Sequence, residues 1–567
     1  MPLIPVENVG AGGLVTDFKP YQLQPNQWSS AMNVEFTDGS ISKIEGYKEV
    51  MEDCPIDPWH LGTYQEHDSD GKQERDGFYW LAFGMNKIYV YGRGEWRDVT
   101  RESGDYKTLE GSDWKVAQSG AILVATNGVD TPQYWELGED NKVSVDKKFI
   151  DLPNWSDTPN EEDITCQSLS GFKNHIIATA ITRKQGTNPL EEDQNRMVKW
   201  STPHPHYEPP SSWDVTDDKL DAGEYELLDT RGPIVDTLQM GEVFMVYKTD
   251  SVVMVSYVGT PWIFSFKTLD PDTGIIAKGA VSEFSGGHFF VSHADCHVNN
   301  GQTVIPILTG KVRDQMFNDI NGDYYNRIFC VTQQHYNEVW ACYPTSDSET
   351  CNRAMVWNYK DNTFSFRELP DVTDIKSGVS VIMTEDQKAS GGDVTWDNSD
   401  PTWNPDDQSG TILYPWGAWT TVPWGTMSYR NVVSHLVFSS PERTKLYRER
   451  AGQMNDDELM RAYVERTGID LGDPSSVKHL RAVWPKVYTA GTDPIDVYTG
   501  FQMATDKPVT WDGPFKFYPE TQSKVSTRTT GKFLAIRFET RADTFWTISG
   551  LELEFENSGR RGSRNYA

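Results

Sequence analysis

Basic charge is scarce in this chain. Its 567 residues carry 52 Lys and Arg against 83 Asp and Glu, a formal net charge of −31. A surface so acidic does not hold nucleic-acid phosphates by neutralising them, and it disfavours an anionic bilayer. Long apolar runs are missing too: no stretch approaches the roughly 18 uncharged apolar residues of a membrane-spanning helix. The opening Met1-Pro-Leu-Ile-Pro-Val-Glu-Asn-Val-Gly10 has no basic leader and no apolar core of the kind that marks a secretory signal. Synthesis in a cytoplasm is therefore expected. Cysteine is sparse, with 6 residues at positions 54, 166, 296, 330, 342 and 351 and no C-x-x-C pair. Reduced, mostly buried thiols are expected rather than a disulfide framework.

Local chemistry motifs are also absent. The chain has no G-x-x-x-x-G-K-[ST], no G-x-G-x-x-G after a strand, no H-E-x-x-H and no G-x-S-x-G. No cofactor is expected. Hydrolases that work with two carboxylates leave no local signature and are untouched by this argument.

Aromatic residues are plentiful: 20 Trp, 25 Tyr and 24 Phe. Short β-branched and aromatic runs bounded by Gly, Asn, Asp and Pro recur, as in Phe78–Phe83, Lys87–Tyr91, Ala121–Thr126, Phe244–Tyr247, Ser251–Val258 and His288–Ser292. Asp38-Gly39, Asn127-Gly128, Asn300-Gly301 and Asn321-Gly322 fit tight turns. Hairpins are expected over 78–91, 246–255 and 337–366. The apolar centres recur at intervals of about 43 to 69 residues, close to the length of a four-stranded propeller blade. The expected fold is mainly β: an irregular propeller of about six blades with a small C-terminal β-sandwich, with an array of β-sandwiches as the alternative that the spacing leaves open.

The expected division is a lead-in at 1–50, the propeller at 51–440, a helical connector at 441–475 and the sandwich at 476–567. The helix is read from Asn455 as N-cap, Glu458 three residues on, Gly468 as the stop, and Leu459, Ala462, Tyr463 and Arg466 on one face. Segment 386–427, with Trp396, Trp403, Trp416, Trp419 and Trp424, reads as a Trp-rich insertion. It could stack on sugar rings or anchor a loop or interface.

Few side chains present themselves as site residues. His293, Asp295 and His297 would share one strand face, but residues four apart on a strand stand ~13 Å apart, too far for one Zn unless the strand breaks. The acidic stretches 213–226 and 317–323 offer oxygen ligands without the spacing of a calcium loop. Arg560, Arg561 and Arg564 make a basic tail on an acidic chain, and are candidates for subunit contact.

Three segments resemble one family. The first runs Gly12-Gly-Leu-Val-Thr-Asp-Phe-Lys-Pro through Ala31-Met-Asn33, Asp38-Gly39 and Ile44-Glu-Gly46. The second is Met197-Val-Lys-Trp-Ser-Thr-Pro203 leading to Ser212-Trp213. The third is Arg481-Ala-Val-Trp-Pro485, Ile495–Gly500, Gly531–Phe538 and Trp546–Glu554, closed by Gly559-Arg-Arg-Gly562. In this order they resemble the tail nozzle (tail tubular, or packaged-DNA stabilisation) proteins of short-tailed bacteriophages. The helix at 455–468 and the Trp-rich segment have no counterpart in the resemblance.

The resemblance implies a virion structural protein, not an enzyme: a propeller-based subunit of a sixfold ring below the tail adaptor. Such a ring would bear tail fibres or spikes outside, retain packaged DNA and let it pass at infection without specific binding. Its channel would be lined by acidic or neutral groups. Assembly would take place in the host cytoplasm. The alternatives are a glycan-active propeller or tailspike-like depolymerase, and a non-catalytic carbohydrate-binding module.

Overall fold

The computed structural model describes the chain apart from residues 1–2, 52, 68–72, 93–94, 109–113, 137–146, 156–163, 184–191, 218, 371–374, 376, 384–432, 441–443, 457 and 558–567. The Trp-rich segment and the three tail arginines Arg560, Arg561 and Arg564 lie outside the described residues.

Among the described residues there are seven four-stranded antiparallel sheets, and in six of them each strand pairs with the next in sequence. Blade 1 spans 60–98, blade 2 115–151, blade 3 164–226, blade 4 234–270, blade 5 281–306 and blade 6 329–368. Blade 7 takes three strands from 377–449 and its fourth, Tyr47–Val50, from the other end of the chain. The first strands of successive blades pack side by side, from blade 2 round through blade 7 to blade 1. Gln65 of blade 1 and Gln118 of blade 2 exchange hydrogen bonds at 3.2 and 2.8 Å and complete the ring. The fold is propeller-like. It has seven blades rather than about six, because blade 7 is assembled from both ends of the chain and leaves no local repeat.

The hairpins expected over 78–91, 246–255 and 337–366 are present as strand pairs of blades 1, 4 and 6. Burial on both faces explains the apolar runs that mark them. In Glu338–Tyr343 and Arg353–Asn358 both faces are buried between neighbouring blades, and both strands are almost continuously apolar.

The second body is a sandwich of two antiparallel sheets. One orders Val34–Thr37, Ser40–Lys43, Trp546–Asn557, Lys478–Thr489 and Val525–Gly531, with Leu3–Glu7 added on Trp546–Asn557. The other orders Ser30–Met32, Ala462–Ile469, Phe533–Thr540, Ile495–Gln502 and Thr510–Phe517. Val34, Phe36, Ile41, Val464, Leu480, Ile536, Phe538 and Ile548 close its core, and the same buried cluster continues into blades 5 and 6 through Phe284, Phe364 and Phe366.

Two expectations are corrected here. Residues 1–50 are not simply a lead-in: four of their strands belong to the sandwich. The helical connector is not helical: Ala462–Ile469 is a strand paired with Phe533–Thr540. Its true pattern is twofold, with Ala462, Val464 and Arg466 buried while Tyr463 and Glu465 point the other way. Leu459, which completed the supposed helical face, is 58% exposed.

The six cysteines are free thiols, five buried and Cys330 part-buried. Burial pushes Cys54 and Cys166 up to about 12, so both stay protonated and unreactive. No helix among the described residues is long and apolar enough to cross a membrane.

Candidate functional site

Two clusters of charge stand out, one at the mouth of the propeller axis and one at the seam with the sandwich. The axial cluster gathers where the inner strands begin. Lys115 opens the inner strand of blade 2, His60 opens that of blade 1, and Asp236 lies early in that of blade 4. Lys115 Nζ donates to Asp236 Oδ1 at 2.5 Å, stepping past blade 3. Asp236 is fully buried, and also accepts from the backbone N–H of Thr237 at 2.8 Å and of Gly279 at 2.9 Å. Burial alone would raise its carboxyl. The Lys115 charge and these donors outweigh that and hold it below the usual value.

His60 is lowered to about 3, first by burial, then by the charges of Lys278 and Lys115, with Asp236 opposing. A neutral imidazole, an ion pair and a second lysine therefore meet at this end of the axis. Serine and threonine line the strands further along: Ser168 and Ser170 each meet Thr237 at 3.1 Å, and Ser282 meets Thr332 at 2.7 Å.

The seam cluster joins three elements. Glu35 comes from the sandwich, Glu338 and Arg367 from blade 6, and Glu449 and Arg450 from blade 7. Arg450 lies 2.8 Å from Glu35 and 3.3 Å from Glu338, while Arg367 pairs with Glu338 and stands 3.4 Å from Glu35. The Arg367 and Glu338 side chains are 2% and 3% exposed, so this is an ion network inside protein. Each guanidinium also covers an aromatic ring: Arg450 over Tyr336 at 3.7 Å and Arg367 over Trp340 at 4.6 Å. Asn33 stitches the same seam, donating to Glu368 Oε2 and the Arg461 carbonyl at 2.8 Å each.

The residues singled out in the sequence have other roles. The strand does break between His293 and His297: Ser292–Asp295 is a tight turn closed by Ser292 N–H to the Asp295 carbonyl at 2.9 Å. Asp295 is buried and accepts from Leu308 N–H at 3.0 Å and from the Thr309 hydroxyl. His293 is exposed, and His297 stacks on Phe290 at 5.5 Å. Among the described residues no three His, Cys, Asp or Glu side chains are grouped as a metal site requires. In the acidic stretches, Asp214 and Asp217 accept from the N–H groups of Thr216 and Lys219, and Asp319 pairs with Arg353.

The segment 197–213 is structural. Lys199 and Trp213 are fully buried, and Trp213 meets Trp155 edge-on at 4.6 Å. Sequence reasoning missed both clusters. One signal was available: Asp236 interrupts an apolar strand, Ile-Val-Asp-Thr-Leu, and a carboxylate there needs a partner. The partner itself is 121 residues away.

No protein-family model matches the chain, and no curated protein sequence matches it. Among solved structures, PorZ, a surface component of the type-IX secretion system of Porphyromonas gingivalis, is 8% identical with a TM-score of 0.32. The match covers 76% of this chain and 44% of PorZ, so the chain spans under half of that protein. Hsv2 from Kluyvelomyces marxianus is 10% identical with a TM-score of 0.28, covering 63% of this chain and 93% of Hsv2. At these TM-scores neither likeness bears on function, and the propeller-like fold rests on the strand pairing above.

Proposed function

We propose that this chain is a non-enzymatic subunit of a phage tail nozzle, six copies of which ring a channel for double-stranded DNA. The observation that carries the reading is where the family-like segments lie. Segments 12–46 and 481–554 stand at opposite ends of the sequence, yet they fold into one sandwich set against the propeller. Their motif residues do specific work there. Asn33 bonds across the seam. Trp484 Nε1 donates to Glu554 Oε2 at 3.3 Å. Trp546 is fully buried and donates to the Thr540 hydroxyl at 2.8 Å. Motifs that converge in space support one inherited architecture better than motifs that merely share an order.

In this reading the adaptor sits above the ring and fibres or spikes dock outside. The test is native mass measurement with negative-stain imaging of the purified protein, and copy counting in particles. A sixfold ring with a central channel and about six copies per virion is expected. A monomer absent from particles, or release of reducing sugar from host polysaccharide, would overturn it.

A further inference from the structure

The seam cluster has more carboxylates than cations. Glu35, Glu338 and Glu449 face Arg367 and Arg450, and half-buried Glu45 adds to the negative side. Buried charge is tolerated when it is paired, and an unpaired carboxylate in such a place is expensive. If Glu35 and Glu338 balance the two arginines, Glu449 is the surplus acid.

Glu449 is built like a surplus acid. Its side chain is buried, on the last residue of Lys445–Glu449, opposite Tyr47 of the closing strand. Oε1 accepts from Gln333 Nε2 at 2.7 Å, whereas Oε2 is buried and receives no hydrogen bond among the described residues. A buried carboxylate needs donors on both oxygens. A proton on Oε2 removes that need and lets the carboxyl face the Gln333 amide as donor and acceptor at once. The other titratable groups around it are Glu338, Arg367 and Arg450, with the Tyr47 and Tyr336 phenols, both held protonated mainly by burial.

We propose that this seam is a proton-operated latch: Glu449 carries a proton while the sandwich is docked on blades 6 and 7, and losing that proton loosens the seam. Ionising Glu449 puts a third buried negative charge beside Glu338. Arg450, the next residue, is then shared between Glu449 and Glu35, and Glu35 is the sandwich's own hold on the network. The latch thus converts a proton on the propeller into a weaker grip on the sandwich.

The sign follows from linkage. Burial, with Glu338 adding, raises the Glu449 carboxyl from 4.5 to about 7, against the pull of Arg450 and Arg367. The docked form therefore binds more protons than an opened one between those values, and docking weakens as pH rises through that window and levels off above about 7. Opening should grow by up to about tenfold per pH unit inside the window.

The experiment is hydrogen exchange of the full chain, corrected for intrinsic rates, across that window. It follows the seam amides of Asn33 and Glu368, which bond to the Phe366 carbonyl and to Asn33 Oδ1. Wild type should lose protection as pH rises, while Glu449→Gln, which keeps the shape of the protonated acid, should stay flat. Glu338→Gln should let Glu449 ionise as the balancing charge, so the loss should be smaller and should level off at lower pH. The infrared difference between wild type and Glu449→Gln should show a protonated carboxyl band that persists through the window and fades as pH rises through about 7. The same loss of protection in Glu449→Gln as in wild type, no loss in either, or no such band would overturn the latch.

Discussion

Lys115 and Asp236 show how one contact can define the end of a propeller axis. The ion pair joins blade 2 to blade 4, and Asp236 is wholly buried while Lys115 keeps about a fifth of its side chain exposed. Breaking such a pair by removing one partner leaves a buried charge without compensation, typically a loss of about 3–5 kcal/mol. Lys115→Met should fall near the lower end of that range, because Asp236 keeps its two backbone donors. Asp236→Leu should cost at least as much, since it strands Lys115 beside Lys278 and orphans the Gly279 and Thr237 N–H groups. The double variant should be less destabilised than the two single losses added together, as a direct interaction requires. Denaturant unfolding of all four proteins reads this out, and strict additivity would deny the pair its role.

At the scale of elements, the closing strand Tyr47–Val50 holds the two bodies together. It completes blade 7 by pairing with Lys445–Glu449, and the residues just before it supply the sandwich with strands. Gly46 makes the passage possible. Its N–H donates to the Gly452 carbonyl at 2.8 Å, and a Cβ placed on it would fall 1.8 Å from the Met454 carbonyl oxygen. That obstacle is backbone, so Gly46→Ala must displace the closing strand. A loss of about 2–4 kcal/mol is expected by analogy with overpacked and strained sites, with exchange protection falling first in 47–50 and 445–449. Protection unchanged there would show that the strand tolerates the shift.

Strand pairs within a blade were legible in the sequence because both partners lie within a few dozen residues and carry their turn signals between them. The closing strand was not, because Tyr47 meets Glu449 some 400 residues on and nothing local marks either as half of a pair. The supposed helix at 455–468 failed for a related reason. Ala462, Tyr463 and Arg466 satisfy a helical spacing, but Ala462, Val464 and Arg466 satisfy a twofold one, and the pairing with Phe533–Thr540 decided between them. The charged clusters were illegible in the same way, since Glu35, Glu338 and Arg450 become neighbours only when three separate elements fold together.

At the scale of the whole molecule, the −31 charge acts on association. Inside the protomer many acids are matched, as in the Arg450–Glu35 and Arg367–Glu338 pairs of the seam and the Arg461–Glu539 and Arg537–Glu465 pairs of the sandwich. The uncompensated remainder is carried into any ring. Taking six copies from the resemblance, the formal total is 6 × −31 = −186. Like charges on neighbouring subunits repel across solvent, and salt screens them over a Debye length of roughly 8–10 Å near physiological ionic strength. Ring formation should therefore strengthen as salt rises from low to moderate concentration. The basic tail supplies a competing term: Arg560, Arg561 and Arg564 would attract an acidic neighbour, and that attraction is strongest at low salt. Two native-mass titrations against salt separate these effects, one on the full chain and one on a chain ending at residue 558. If the tail compensates the ring, truncation should weaken assembly most at low salt and hardly at all at high salt. Equal assembly of the two chains at every salt concentration would remove the tail from the interface. Assembly of the full chain that weakens as salt rises would mean that attraction between opposite charges, not screened repulsion, governs the ring.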